Sequence, residues 1–238
     1  VIEVSDNGDG RHLLVVAHLP TLQAMIDDVA RCRRMFGLDR APAEDTPLAR
    51  DPLLGSLVRR RPGLRVPGPW DPFETAVRII LGQQVSVAGA TTLAGRLVRA
   101  FGAPVRGLDA MGLSHVFPPA ARLAGASLDR IRAIGLPAAR AASVRALARA
   151  YADERIVLDA GACLDELTDS VAALPGIGPW TAQMIALQAG PPDAFPTGDL
   201  GLRRATARLM GRETPLAAPE LEEIAEAWRP HRALAAMH

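Results

Sequence analysis

The stretch that constrains this chain most is residues 174–199, LPGIGPWTAQMIALQAGPPDAFPTGD. Pro175-Gly176-Ile177-Gly178 reads as a tight turn, and Pro179 suits the first position of a new helix, where its missing N–H costs nothing. Two helices are therefore joined by a very short hairpin, which commits this part of the fold to helix packed on helix. The glycines have a second use. Without Cβ atoms they permit positive φ and let a phosphate approach the backbone, while the N–H groups opening the next helix point outward as donors. Such a turn can grip a phosphodiester without lysine; the same residues also suit an ordinary helical corner in which glycine serves sterics alone. The proline-rich return ends on Asp199, which reads either as the N-cap of a further helix or as a carboxylate with chemistry to perform.

Composition removes several chemistries. All 27 basic residues are arginine, which excludes a lysine Schiff-base nucleophile. Cys32 and Cys163 are the only cysteines, too few for a four-thiolate iron-sulfur cluster or an all-cysteine zinc site, and they read as free thiols. The net charge of +1 does not announce a nucleic-acid partner in bulk. Arginines cluster at 31, 33 and 34, at 59–61, and at 203, 204 and 208, a pattern that also suits solvated faces. Nearly half the residues are apolar, yet no apolar run approaches the roughly 20 residues of a membrane span and no leader pattern opens the chain. The expectation is a cytoplasmic chain with a sizeable core and no membrane partner. It begins at Val1 inside an apparent strand, which suits a piece of something longer.

Residues 1–4 and 12–19 read as strands joined by the turn Asp6-Asn7-Gly8-Asp9-Gly10. A helix follows from about Thr21, with Leu22, Met25, Ile26, Val29 and Phe36 at helical spacing and Gly37 as its stop. Residues 41–72 are rich in Pro, Gly and Arg and connect, apart from a short helix at 52–60. From Phe73 the periodicity is helical: Phe73, Val77, Ile80 and Leu81 form one stripe, 82–86 break it, and a second helix runs through Leu93, Leu97 and Val98. Further helices are expected at 127–134, at 137–151 with Pro137 first, at 164–174, 200–210 and 219–228, and from Pro230.

The hairpin run LPGIGPWTAQMIAL followed by Asp199, with FETAVRIILGQQVSVAGATTLAGRLV at 73–98 and the ending AWRPHRALAAMH, resembles the helix-hairpin-helix (HhH-GPD) DNA glycosylase superfamily. Within it, the similarity is to the 3-methyladenine DNA glycosylase II, or AlkA-type, branch. The resemblance covers most of residues 50–238. It implies a mainly α fold of two helical domains, one at 73–191 and one made of 51–72 and 192–238, after an N-terminal α/β segment at 1–50 that is shortened at its start.

The same resemblance implies the site. Asp199 would be catalytic, stabilising the positive charge that develops at the sugar C1′ as a base leaves and orienting the attacking water. An N-alkylated purine departs as a neutral molecule and needs no general acid. Trp180 occupies the slot that holds lysine in the bifunctional branches, so no AP-lyase activity is expected. Trp180, Met184 and His231 would line the base pocket, with Met184 and His231 standing where aromatics are usual. Gln84, otherwise a surface residue at a helix break, would be the wedge that fills the gap left by the flipped nucleotide. Gly176, Gly178 and Thr181 would hold phosphate, and the carbonyls of Ala172, Leu174 and Ile177 would bind Na+ or K+, with no other cofactor and no iron-sulfur cluster. The partner implied is damaged double-stranded DNA, met by a monomer, and the shortened start suits fusion to a second repair module. Two alternatives stay open on sequence: a non-catalytic helix-hairpin-helix DNA-binding module, or a glycosylase for another lesion such as a deaminated purine.

Overall fold

The computed structural model describes residues 2–8, 12–19, 21–108 and 112–238. Strands β1 (Ile2–Asp6) and β2 (Leu13–Ala17) pair antiparallel, with Ile2 opposite Ala17 and Val4 opposite Val15. At the expected turn, Asp6 accepts a hydrogen bond from the Gly8 N–H at 2.9 Å; Asp9 and Gly10 lie outside the described residues. Helix α1 (Met25–Met35) follows a single 3-10 turn, and Gly37 ends it at φ 62°. Glycine is required at that stop twice over, since a Cβ would also lie 2.7 Å from the Val66 carbonyl. The spacing of Leu22, Met25, Ile26 and Val29 is helical as expected. These four side chains stay exposed, as do Leu14 and Val16 of β2, and Cys32 is the buried residue of α1.

Residues 41–72 cross the molecule with two 3-10 turns and helix α2 (Gly55–Arg60). They are pinned by Asp51, which accepts the N–H groups of Leu53 and Leu54, each at 2.9 Å. Helix α3 (Pro72–Leu81), capped by Asp71, buries Phe73, Val77, Ile80 and Leu81 as their spacing demands. Each such side chain contributes about 1.5–3 kcal/mol by leaving water. Ser86 caps α4 (Val87–Phe101), which buries Leu93 and Leu97. Helix α5 (Ala120–Ala124) has five residues, too few for periodicity to reveal. Ser127 caps α6 (Leu128–Arg132) and Gly135, at φ 104°, stops that turn. Pro137 stands one position earlier than expected, as the extended N-cap of α7 (Ala138–Ala152) rather than its first residue, because its ψ of 149° lies outside the helix.

Helices α8 (Leu164–Ala172) and α9 (Pro179–Ala189) form the hairpin; α10 (Leu200–Leu209), α11 (Ala218–Ala225) and α12 (Arg232–Met237) complete the chain. Helix α3 is central, packed against α7 and α9, while α8 lies along α9. The Phe73 ring stacks on Tyr151 at 5.1 Å. The C-terminal helices join α2 through buried Trp228, whose indole N–H donates to Asp51 at 3.1 Å and whose ring meets Phe195 edge-on. The fold is thus mainly helical with a two-stranded N-terminal sheet, as the sequence implies. Among the described residues no helix is long and apolar enough to cross a membrane.

Candidate functional site

The two hairpin glycines differ. Gly176 stands at φ 73°, and a Cβ there would lie 2.4 Å from the Ser143 hydroxyl, which is itself fixed by donating to the Ala139 carbonyl at 3.0 Å. The fold demands this glycine. Gly178 sits at φ −90° and ψ 173°, a conformation any residue adopts, and a Cβ there would meet nothing within 4 Å. No contact among the described residues accounts for it. Buried Ile177 anchors the turn, its N–H donating to the Leu174 carbonyl at 3.2 Å, and Pro179 opens α9 at the first helical position. The carbonyls of Ala172, Leu174 and Ile177 belong to this turn and its approach. Backbone oxygens are hard donors, of a kind that suits an alkali cation rather than a transition metal. Among the described residues no cluster of three or more His, Cys, Asp or Glu side chains forms a metal site.

Helix α9 ends at Gly190, whose carbonyl accepts a guanidinium N–H from Arg40. The return loop is then fastened at three points. Gln183 accepts the Phe195 N–H at 3.1 Å, and the Pro192 carbonyl accepts the Ala233 N–H at 2.9 Å. Buried Arg232 donates twice to Asp193, both bonds at 2.8 Å. Arg229 also bonds Asp193 and Glu226, and its hydrogen bond holds the Glu226 carboxyl below the usual carboxylate range.

So held, the loop delivers Asp199 to the start of α10, where one carboxylate oxygen serves as the N-cap and the other is left for a second partner. Oδ1 accepts the Leu202 N–H at 3.0 Å and caps the helix, while Oδ2 accepts the indole N–H of Trp180 at 3.3 Å. The carboxylate swings over Gly201, where a Cβ would lie 2.9 Å from Oδ1. Asp199 lines a cavity of about 480 Å³ with Gly201, Trp228, Met237 and His238 among its walls. Burial pushes the His238 imidazole below its ordinary pKa, and among the described residues neither ring nitrogen has a hydrogen-bond partner.

The structure therefore brings Trp180 and Asp199 into direct contact. Met184 lies farther along α9, partly buried against the core. His231 lines a different cavity, of about 230 Å³, with Arg40, Val66 and Pro192; the histidine on the Asp199 cavity is His238. Gln84 is exposed between α3 and α4 at φ 53°, a left-handed conformation uncommon outside glycine. Its neighbour Gln83 reaches across to donate to the Thr181 hydroxyl at 2.9 Å. The Thr181 side chain is thus buried and engaged within the protein; what it offers outward is its first-turn N–H. Sequence reasoning did not single out Gln83, Gly201, Trp228 or the Arg232–Asp193 pair. Asp51, preceding Pro52, carried a readable helix-start signal, but nothing in it points to Trp228, 177 residues away.

Residues 77–231 match the family described as HhH-GPD superfamily base excision DNA repair protein. The chain belongs to this superfamily. Residues 1–71 match the AlkA N-terminal domain, which places this HhH-GPD chain in the AlkA-type branch. It is 34% identical over 211 residues to DNA-3-methyladenine glycosylase 2 of Escherichia coli K12, covering 88% of the chain and 70% of that protein. It is 40% identical over 230 residues to the probable bifunctional transcriptional activator/DNA repair enzyme AlkA of Mycobacterium tuberculosis H37Rv, covering 95% of the chain and 45% of that protein. The chain therefore spans less than half the length of that mycobacterial relative. The same HhH-GPD fold is found in the 3-methyladenine DNA-glycosylase from Archaeoglobus fulgidus, with a TM-score of 0.81 at 24% identity over 98% of this chain and 79% of that one.

Proposed function

We propose that this AlkA-type chain is a monofunctional DNA glycosylase that flips an alkylated base of the 3-methyladenine type out of duplex DNA and hydrolyses its N-glycosidic bond in base excision repair. The observation that carries the reading is the Trp180–Asp199 pair. An N-cap needs one carboxylate oxygen, and Oδ1 fills that need at Leu202; Oδ2 is instead turned toward an indole that is 36% exposed. A carboxylate beside an open aromatic surface suits a sugar cation whose departing base stacks on the ring. The name of the Escherichia coli relative supports the same substrate class.

Each other part has a role in this scheme. Gly178, with no internal reason to lack a side chain, lets a backbone phosphate approach, and the N–H groups opening α9 bind it. Gly176 shapes that turn, and Thr181 contributes its N–H. A Na+ or K+ ion held by the carbonyls of Ala172, Leu174 and Ile177 supplies positive charge beside the phosphate. Gln84, held in a strained conformation that costs about 1–3 kcal/mol, projects as the wedge. Asp199 stabilises the oxocarbenium-like sugar and orients water, and a cationic alkylpurine leaves without a general acid. With no lysine in the chain and Trp180 in the bifunctional enzymes' lysine slot, no imine forms with the sugar. The product strand then stays intact at an abasic site.

The test is release of free base from duplex DNA carrying methylated purines, by the protein and by Asp199→Asn. Asparagine retains the cap, so the variant should fold and bind DNA while release falls by about 10²-fold or more. Undiminished release in the variant sinks the mechanism. Trapping of a covalent complex by borohydride contradicts the monofunctional assignment.

A further inference from the structure

Five residues in three segments form a connected path. Gln84 occupies a left-handed conformation at the exposed tip between α3 and α4. Gln83, directly before it, donates its amide to the buried Thr181 hydroxyl at 2.9 Å, across 98 residues of sequence. Thr181 directly follows Trp180, whose indole N–H rests on Asp199 Oδ2. Among the described residues the other hydrogen bonds at the tip are local to its two flanking helices. The Gln83 N–H donates to the Ile80 carbonyl at 3.3 Å, and Ser86 caps α4 through Gly89. A non-glycine residue at positive φ persists only where its surroundings over-determine it, and the Gln83–Thr181 bond supplies the long-range constraint.

We propose that Gln83 is a positioning residue that couples the Gln84 tip to the Trp180–Asp199 pair, so that entry of the tip into the duplex and presentation of the flipped nucleotide to the carboxylate occur as one event. This rests on the glycosylase reading and deepens it. Gln83 touches neither base nor sugar; it acts through Thr181. A bond from a half-buried amide to a buried hydroxyl is short, directional and shielded from competing water, which suits it to transmit a fixed geometry.

The experiment compares single-turnover base release from two duplexes carrying one 7-methylguanine, placed opposite cytosine in the first and opposite a tetrahydrofuran abasic analogue in the second. The second lesion is already unpaired, so less of its rate depends on prising the base out. Gln83→Ala and Thr181→Val should each slow release from the paired duplex by about fivefold to tenfold, the loss of one hydrogen bond. On the unpaired duplex the defect should shrink to about twofold. The double variant should be no slower than either single one, because both remove the same bond. Release by the unaltered protein combined with additive defects, or with equal defects on both duplexes, overturns the coupling and leaves the glycosylase reading standing. No release by the unaltered protein from either duplex overturns both. Circular dichroism and thermal melting identify a variant that has lost its fold. In that event Thr181→Ala, which puts no methyl in place of the hydroxyl, and Gln83→Leu, which keeps most of the side-chain volume, decide the question by the same comparison.

Discussion

The two hairpin glycines should respond to alanine in opposite ways. In Gly176→Ala the left-handed conformation costs about 1–2 kcal/mol. The new methyl lies 2.4 Å from the Ser143 hydroxyl, and moving that hydroxyl sacrifices its bond to Ala139, a further ~1 kcal/mol. The sum is about 2–3 kcal/mol, which for a chain of this size lowers the melting temperature by about 5–10 °C. Gly178→Ala meets open space at φ −90°, so it should be neutral or raise stability by about 0.4–1 kcal/mol through the unfolded state. Its methyl stands where a phosphate would approach, however. Losing one charge-assisted hydrogen bond there costs about 1.5–3 kcal/mol and weakens duplex binding by about 10–100-fold. Thermal melting and fluorescence anisotropy with a labelled duplex measure the two effects separately. A Gly178→Ala protein that melts as low as Gly176→Ala, or that binds duplex with undiminished affinity, would refute the view that one glycine serves the fold and the other a ligand.

Gly201→Ala places a methyl 2.9 Å from Asp199 Oδ1. The gain in helix propensity and the weakened cap, each about 1 kcal/mol, should nearly cancel in the melting temperature, while displacement of the carboxylate slows base release by about tenfold. A rate unchanged within twofold contradicts the tight fit inferred at Gly201. Tyr151 is the only tyrosine in the chain, so phenolate absorbance reports it alone. Burial first, and then the nearby charge of Asp71, raise its pKa above the ordinary value of 10.0. Its contribution to stability is therefore complete below pH 10 and is lost as pH rises through the higher folded-state value. An alkaline titration of the native protein with a midpoint at or below 10 contradicts the burial of the Tyr151 hydroxyl.

The helices were legible because local rules and tertiary demands agree in them. Phe73, Val77, Ile80 and Leu81 are spaced for one helical face and are buried on it. Ser86 and Ser127 cap where a hydroxyl before an apolar run should cap. At α1 the helical spacing of Met25, Ile26 and Val29 holds, as does the turn at Leu22, yet all four side chains stay exposed. Periodicity reports the pitch of a segment and says nothing of what covers it. Helix α5 escaped notice because five residues complete barely more than one turn.

The sequence by itself determined the hairpin, the absence of lysine and the placing of Asp199 at the head of a helix. Turn chemistry, composition and capping are properties of neighbours along the chain. Only the tertiary structure decided which oxygen of Asp199 caps and which meets Trp180. It also distinguished Gly176, enclosed by Ser143, from Gly178, which faces nothing. The presence of His238 on the Asp199 cavity and the bond from Gln83 to Thr181 were decided there too. These depend on side chains brought together from distant segments, and their distances are set by how whole helices pack, which no local pattern encodes.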